Sequence, residues 1–248
     1  MMRLKSALAA PLAALAMLWL LAPGHVASAQ ERLDMALVLA VDTSQSVDNA
    51  EFGLQIQGMA EAFRHPAVSR AIQLGAPNGL AVTLLQWSGK TEQVQSIGWT
   101  ILRDENDSYA FGARLAGVQR AFNRGGTALG QAIAGSLDLL RNAPFRARRL
   151  VIDVSGDGAN NDGPLPRHVR DMARDSGVQV NAVAILNEEP RLDHYYRSDV
   201  IAGSGAFLMT AVDYKDFARA IRMKLAKEIY GTPIARNETN QPGTRPRG

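Results

Sequence analysis

The 248-residue chain predicts an α/β fold built on a mostly parallel, buried sheet. Three observations carry that reading. Apolar runs rich in Val, Ile and Leu recur along the chain, as strands covered on both faces require. Segments with apolar residues at helical spacing separate them, so strands and helices alternate. Neither an internal repeat nor a long linker interrupts the centre, so about 200 residues form one domain large enough for its own core.

The first strand is expected at 34–42 (DMALVLAVD). Asp48 and Glu51 then form a capping-box pattern, and Phe52, Ile56, Met59 and Phe63 make one apolar stripe on a helix over 48–64 that ends near His65-Pro66. Strands follow at 79–87 (GLAVTLLQW) and 92–99 (EQVQSIGW). Only Ser88-Gly89-Lys90-Thr91 joins them, a hairpin-length connection, so the third strand should run antiparallel. A helix is expected at 107–123, and another from Thr127 with Leu129, Ile133, Leu137 and Leu140 on one face. The fourth strand falls at 148–155 (RRLVIDVS). Pro166 suits the first turn of a helix running to Ser176-Gly177. A fifth strand at 178–186, a short helix at 192–201 and a sixth strand at 206–210 come next. The last helix spans 213–229, with Asp213 as cap and Phe217, Ile221, Leu225 and Ile229 along one side. These stripes read as core.

Both ends differ from the domain. Arg3 and Lys5, an apolar run from Ala7 to Ala22, and Ala27-Ser28-Ala29 have the build of a secretory signal cleaved after Ala29. The run is shorter than a spanning helix needs, so no membrane insertion is expected after cleavage. Residues 232–248 are polar and rich in Gly and Pro, a composition expected to stay disordered. Without residues 1–29 the chain has 25 basic against 24 acidic residues, so its alkaline isoelectric point says little about partners. The basic residues form no stripe of the kind nucleic acids demand. With no Cys, neither a disulfide nor a thiol nucleophile is available. Nor is there a Gly-x-Ser-x-Gly elbow, a His-Glu-x-x-His helix or a phosphate loop.

The chemistry gathers at strand ends. In an open parallel sheet, ligands bind beyond the carboxyl ends of the strands, where the strand order reverses. Asp42, Ser44 and Ser46 follow the first strand, Gly125-Gly126-Thr127 opens a helix, and Asp157 follows the fourth strand. Singly, each piece reads as an ordinary helix cap. Together they bring two carboxylates and three hydroxyls to one rim, an all-oxygen set of the kind hard divalent cations take. The helix amides after Ser46 and Thr127 are expected to face the site and favour an anion.

Asp42-Thr43-Ser44-Gln45-Ser46, Gly126-Thr127 and Asp157-Gly158 resemble, in order and strand placement, the metal-ion-dependent adhesion site (MIDAS) of von Willebrand factor type A domains. The resemblance covers about residues 33–230. It implies a doubly wound, Rossmann-like sheet with helices on both faces and one antiparallel edge strand, in a domain over 30–231. It also implies that Ser44, Ser46 and Thr127 bind a metal through hydroxyls, and that Asp42 and Asp157 bind directly or through water. Magnesium is the expected ion, with calcium or manganese as alternatives. One coordination position is then left for an Asp or Glu carboxylate of a protein partner, in a non-enzymatic, periplasmic or secreted module. Asn160, Glu188 and Glu189 are expected on the partner-facing rim. Gly156 departs from the family, many of whose members carry Ser or Thr before the Asp-Gly. A second resemblance, of Gly156-Asp157-Gly158-Ala159-Asn160-Asn161-Asp162 to haloacid dehalogenase-type phosphohydrolases, implies a magnesium-dependent enzyme. Against it, Ser44 stands where those enzymes need an acid/base Asp, and Asp162 arrives one residue late.

Overall fold

The computed structural model describes residues 31–231; the expected signal segment over 1–29 and the polar tail over 232–248 lie outside them. In chain order the elements are β1 (Arg32–Asp42), α1 (Asn49–Arg64), α2 (Pro66–Gly75), β2 (Leu80–Trp87), β3 (Gln93–Leu102), α3 (Glu105–Ala116) and α4 (Leu129–Arg141). They continue with β4 (Arg146–Gly156), α5 (Pro166–Asp175), β5 (Val178–Ile185), α6 (Leu192–Asp199), β6 (Leu208–Ala211) and α7 (Phe217–Tyr230). The six strands form one sheet in the order β3-β2-β1-β4-β5-β6. All pairs are parallel except β2 with β3, where the expected hairpin puts an antiparallel strand at the edge.

Alternation along β1 divides the interior into two layers. Met35, Leu37, Leu39 and Val41 face the side covered by α1, α2, α3 and α7. Ala36, Val38 and Ala40 face the side covered by α4, α5 and α6. On the first side Phe63 of α1 meets Phe111 of α3 edge to face, with ring centroids 4.8 Å apart. No helix among the described residues is long and apolar enough to cross a membrane.

Three helices differ from expectation. Helix α2 was not foreseen: His65 both ends α1 and starts α2, its Nδ1 accepting the Ala67 N–H at 3.1 Å, and Pro66 occupies the first turn. Helix α3 stops at Ala116 rather than continuing to 123, because residues 119–121 pair with β2 side chains instead. Gln86 Nε2 donates to the Gln119 carbonyl at 2.9 Å, and Gln86 Oε1 accepts from the Ala121 N–H at 2.8 Å. Helix α7 starts four residues late because Asp213 caps a preceding turn, accepting the Asp216 N–H at 2.9 Å. The expected capping box of α1 is present, with Asp48 and Glu51 exchanging bonds of 2.8 Å.

The α7 side also holds a buried charge cluster with no counterpart in the apolar pattern. Lys224 Nζ lies 2.6 Å from Asp153 Oδ2 and 3.1 Å from Glu228 Oε1, and all three side chains are buried. Asn181 Nδ2 donates to Glu228 Oε1 at 2.5 Å. Burial pushes the Asp153 carboxyl up to about 7; Lys224 pulls it down and Glu228 adds to the rise.

Because the folded pKa exceeds the ordinary value, Asp153 favours folding below about pH 4 and loses that contribution as pH rises through about 7. In urea denaturation, Asp153→Asn should therefore flatten the decline of wild-type stability between pH 4 and 7. Lys224→Met, which strands buried carboxylates, should cost about 3–5 kcal/mol at pH 8 and less at pH 5.

Candidate metal centre

Strand order alone brings the two acids together. β1 lies between β2, which follows it, and β4, which the chain reaches by crossing to the other side of β1; the order reverses there. Asp42 ends β1 and Asp157 follows the last residue of β4, so adjacent parallel strands deliver both to the same rim. Both residues are fully buried.

The loop after Asp42 turns back on itself. The Ser44 N–H donates to Asp42 Oδ1 at 2.7 Å, an Asx-type turn. Ser44 Oγ and Ser46 Oγ then lie 3.1 Å apart, and Ser46 Oγ donates to Asp157 Oδ1 at 2.8 Å. Ser44 is buried and Ser46 exposed, so the pair of hydroxyls leads from solvent to the carboxylates. Neighbouring segments hold this loop. The Thr43 N–H and Oγ1 both donate to the Trp87 carbonyl at 2.9 Å, and the Gln45 N–H reaches the Gly125 carbonyl at 3.2 Å. Arg120 donates to the carbonyls of Thr43 at 3.3 Å and Ser44 at 3.0 Å.

Thr127 enters from the third segment. Helix α4 begins only at Leu129, with Ala128 at the cap position, so the Thr127 hydroxyl does not cap the helix. Its N–H donates to Asn161 Oδ1 at 2.7 Å and its carbonyl accepts the Asn161 N–H at 3.0 Å, which locks it to the Asp157 loop. A carbon added at Gly158 would lie 3.7 Å from Thr127 Oγ1, so Thr127 borders the residue next to Asp157. Gly125 makes the approach possible: its φ is +103°, and a side chain there would overlap Glu92 and Ser88.

The electrostatics of this rim are unbalanced. Burial, and then the neighbouring Asp157 charge, push the Asp42 carboxyl up to about 7; the Ser44 bonds and Arg120 only partly offset the rise. Asp42 Oδ2 is buried without a hydrogen-bond partner. Tyr214 Oη donates to Asp157 Oδ2 at 2.8 Å. Burial raises the pKa of Tyr214 and of Tyr196, so both phenols stay protonated. An orphaned, buried carboxylate oxygen beside a second carboxylate and a run of hydroxyls is a donor set that a hard divalent cation fits. Among the described residues no cluster of three or more His, Cys, Asp or Glu could hold a metal.

Other expectations meet mixed outcomes. The first-turn amides are engaged elsewhere: the Glu51 N–H donates to Asp48 Oδ1, and the Gly130 N–H to Asn160 Oδ1 at 3.2 Å. Asn160 thus ties the Asp157 loop to α4. Glu189 Oε1 accepts the Ala159 N–H at 3.1 Å, and Glu188 Oε1 accepts from Asn187 Nδ2 at 3.0 Å; both acids are exposed near the rim. Asp162, the acid of the phosphohydrolase resemblance, is engaged by backbone, accepting the N–H groups of Lys90 at 2.9 Å and Gly163 at 2.8 Å. Sequence reading missed Arg120 and Tyr214. Nothing local marks them, since each acts through tertiary contact.

No curated protein matches this sequence. Among solved structures, the chain is similar to proximal thread matrix protein 1 of the mussel byssus, with a TM-score of 0.57, 17% identity, and coverage of 82% of this chain and 47% of that one. It is similar to the pilus adhesin SpaC of Lactobacillus rhamnosus GG, with a TM-score of 0.58, 15% identity, and coverage of 82% and 31%. It is also similar to a von Willebrand factor type A protein of Catenulispora acidiphila, with a TM-score of 0.54, 16% identity, and coverage of 79% and 43%. A further structure of the mussel protein has a zinc-occupied MIDAS motif. The chain spans less than half the length of each of these neighbours. At such identities the likeness establishes the fold, which is that of von Willebrand factor type A domains. Residues 32–233 match the family described as protein of unknown function (DUF1194), and the chain belongs to that family.

Proposed function

We propose that this chain is a divalent-metal-dependent protein-binding module of the cell envelope, which captures an acidic side chain of a partner protein. The observation that carries the reading is a pair of fully buried carboxylates, Asp42 and Asp157, lined by the Ser44 and Ser46 hydroxyls, with the Asp157 charge adding to the rise in the Asp42 pKa. Such a pair is costly unless a cation is shared between them.

In this reading Ser44, Ser46 and Thr127 hold the ion through their hydroxyls, with Asp42 and Asp157 as its two acids. When bound, the ion supplies a positive charge that neutral hydroxyls leave largely uncompensated and that an incoming carboxylate completes. The loop bonds from Thr43, Gln45 and Arg120 keep the hydroxyls in place without drawing on that charge. Glu188 and Glu189 border the entrance, so a partner presenting its acid beside Lys or Arg is favoured over a purely acidic one. Magnesium is the ion of first choice on ligand chemistry, with calcium or manganese as alternatives. The zinc-occupied site of the mussel protein supports divalent binding in this fold. The secretory features of residues 1–29 support a periplasmic or secreted location, with cleavage after Ala29.

Two outcomes follow. Magnesium at about a hundred times its Kd should raise the Tm of chelator-stripped protein by about 5–10 °C, and Asp42→Ala should lose that increment. In pull-downs from envelope extract, a partner should be retained with magnesium and released by chelator, and Thr127→Ala should weaken its capture at least ten-fold. Capture of the same partner by Asp42→Ala, or in chelator, would refute the metal-dependent reading.

A further inference from the structure

Each carboxylate of the centre has a buried tyrosine hydroxyl near it, and neither tyrosine belongs to the motif that marks the site. Tyr214 lies in the turn before α7, and its Oη donates to Asp157 Oδ2 at 2.8 Å. The other oxygen of that carboxylate, Oδ1, accepts from Ser46 Oγ at 2.8 Å, so both oxygens of Asp157 are bound by hydroxyls. Tyr196 lies on α6 and is fully buried, yet its Oη has no partner. Asp42 Oδ2 is orphaned too.

These two orphans share one small space. A carbon added at Gly156 would sit 2.7 Å from Tyr196 Oη and 2.9 Å from Asp42 Oδ2. The Tyr196 hydroxyl is a donor and Asp42 Oδ2 an acceptor, so the two face one gap with complementary chemistry. The absence of a side chain at 156 leaves room for the Tyr196 hydroxyl. Thus α6 and the turn before α7 each send one phenol toward one acid.

Resting on the metal reading above, we infer that Tyr214 and Tyr196 are positioning residues of the centre. Their hydroxyls restrain Asp157 and Asp42 from direct coordination, so that the ion keeps its charge for the partner's carboxylate. A carboxylate held by a phenol reaches the ion through water; freed, it becomes a direct ligand and neutralises the ion. The tyrosines therefore exchange metal affinity for partner affinity. A role in packing alone carries no such exchange.

The test uses the full chain with Mn2+ as the probe, comparing wild type with Tyr214→Phe, Tyr196→Phe and Gly156→Ala. Calorimetry gives the Mn2+ Kd, and water-proton relaxivity reports how many waters the bound ion keeps. Tyr214→Phe should bind Mn2+ on the order of ten-fold more tightly, with relaxivity reduced by one coordinated water. Tyr196→Phe should change both in the same direction. Gly156→Ala, whose methyl would crowd the Tyr196 hydroxyl and Asp42 Oδ2 together, should part the two and change both readouts in the same direction. Tyr→Phe variants that bind Mn2+ with unchanged or weaker affinity and unchanged relaxivity would overturn the inference while leaving the metal site standing. A wild-type chain that binds no Mn2+ would remove the metal site itself, and the inference with it. Thermal melts in chelator check folding. Should Tyr214→Phe be unfolded, Tyr196→Phe and Gly156→Ala decide the matter by the same two readouts.

Discussion

Two carboxylates buried side by side at the end of a parallel sheet are the constraint on which the rest of this molecule depends. Asp42 and Asp157 are fully buried, and no ion pair among the described residues reaches either of them. The sheet order makes their meeting unavoidable, because β1 and β4 are parallel neighbours, Asp42 ends the one and Asp157 directly follows the other. The same fold shows how it treats a buried acid that needs no outside ion: Asp153, further down β4, has Lys224 at 2.6 Å. At the rim the nearest cation, Arg120, spends its N–H groups on the carbonyls of Thr43 and Ser44. Asp153 has a cation from within the protein, whereas among the described residues no ion pair serves Asp42 or Asp157.

Hydroxyl donors give this imbalance its chemical meaning. A site walled by four or five carboxylates would hold a divalent ion tightly and leave it little attraction for anything else. Ser44, Ser46 and Thr127 offer lone pairs without charge, so an ion held there stays electrophilic. The cost is a stretch of loop that cannot cap its own helices with these side chains. The protein meets it elsewhere: Asp48 caps α1, and Asn160 and Asn161 engage the start of α4 and Thr127.

The strands, the hairpin and the antiparallel edge were legible in sequence because buried strands have unbroken apolar runs and four-residue connections allow few geometries. The gathering of Asp42, Ser44, Ser46, Thr127 and Asp157 at one rim was legible as well, since strand ends at a switch point are where topology gathers side chains. Helix α2 was overlooked because a Pro that ends one helix also suits the first turn of the next, and His65 serves both. The overrun of α3 has a different cause: local pattern favours helix to 123, whereas Gln86 draws residues 119–121 into backbone contacts that no local pattern encodes. Tyr214 was invisible as a site residue because a phenol in a turn looks like core until the carboxylate opposite it is known. The Lys224 cluster was hidden for a similar reason: its members lie on β4, β5 and α7, and each alone reads as an ordinary polar residue.

Crystals of the stripped protein soaked in Mn2+, with data collected at the manganese absorption edge, test the central claim most directly. The account predicts one strong anomalous peak at the carboxyl ends of β1 and β4, within coordination distance of the hydroxyl oxygens of Ser44, Ser46 and Thr127. An ordered rim without a peak, or a peak held only by exposed acids such as Glu188 and Glu189, would contradict it.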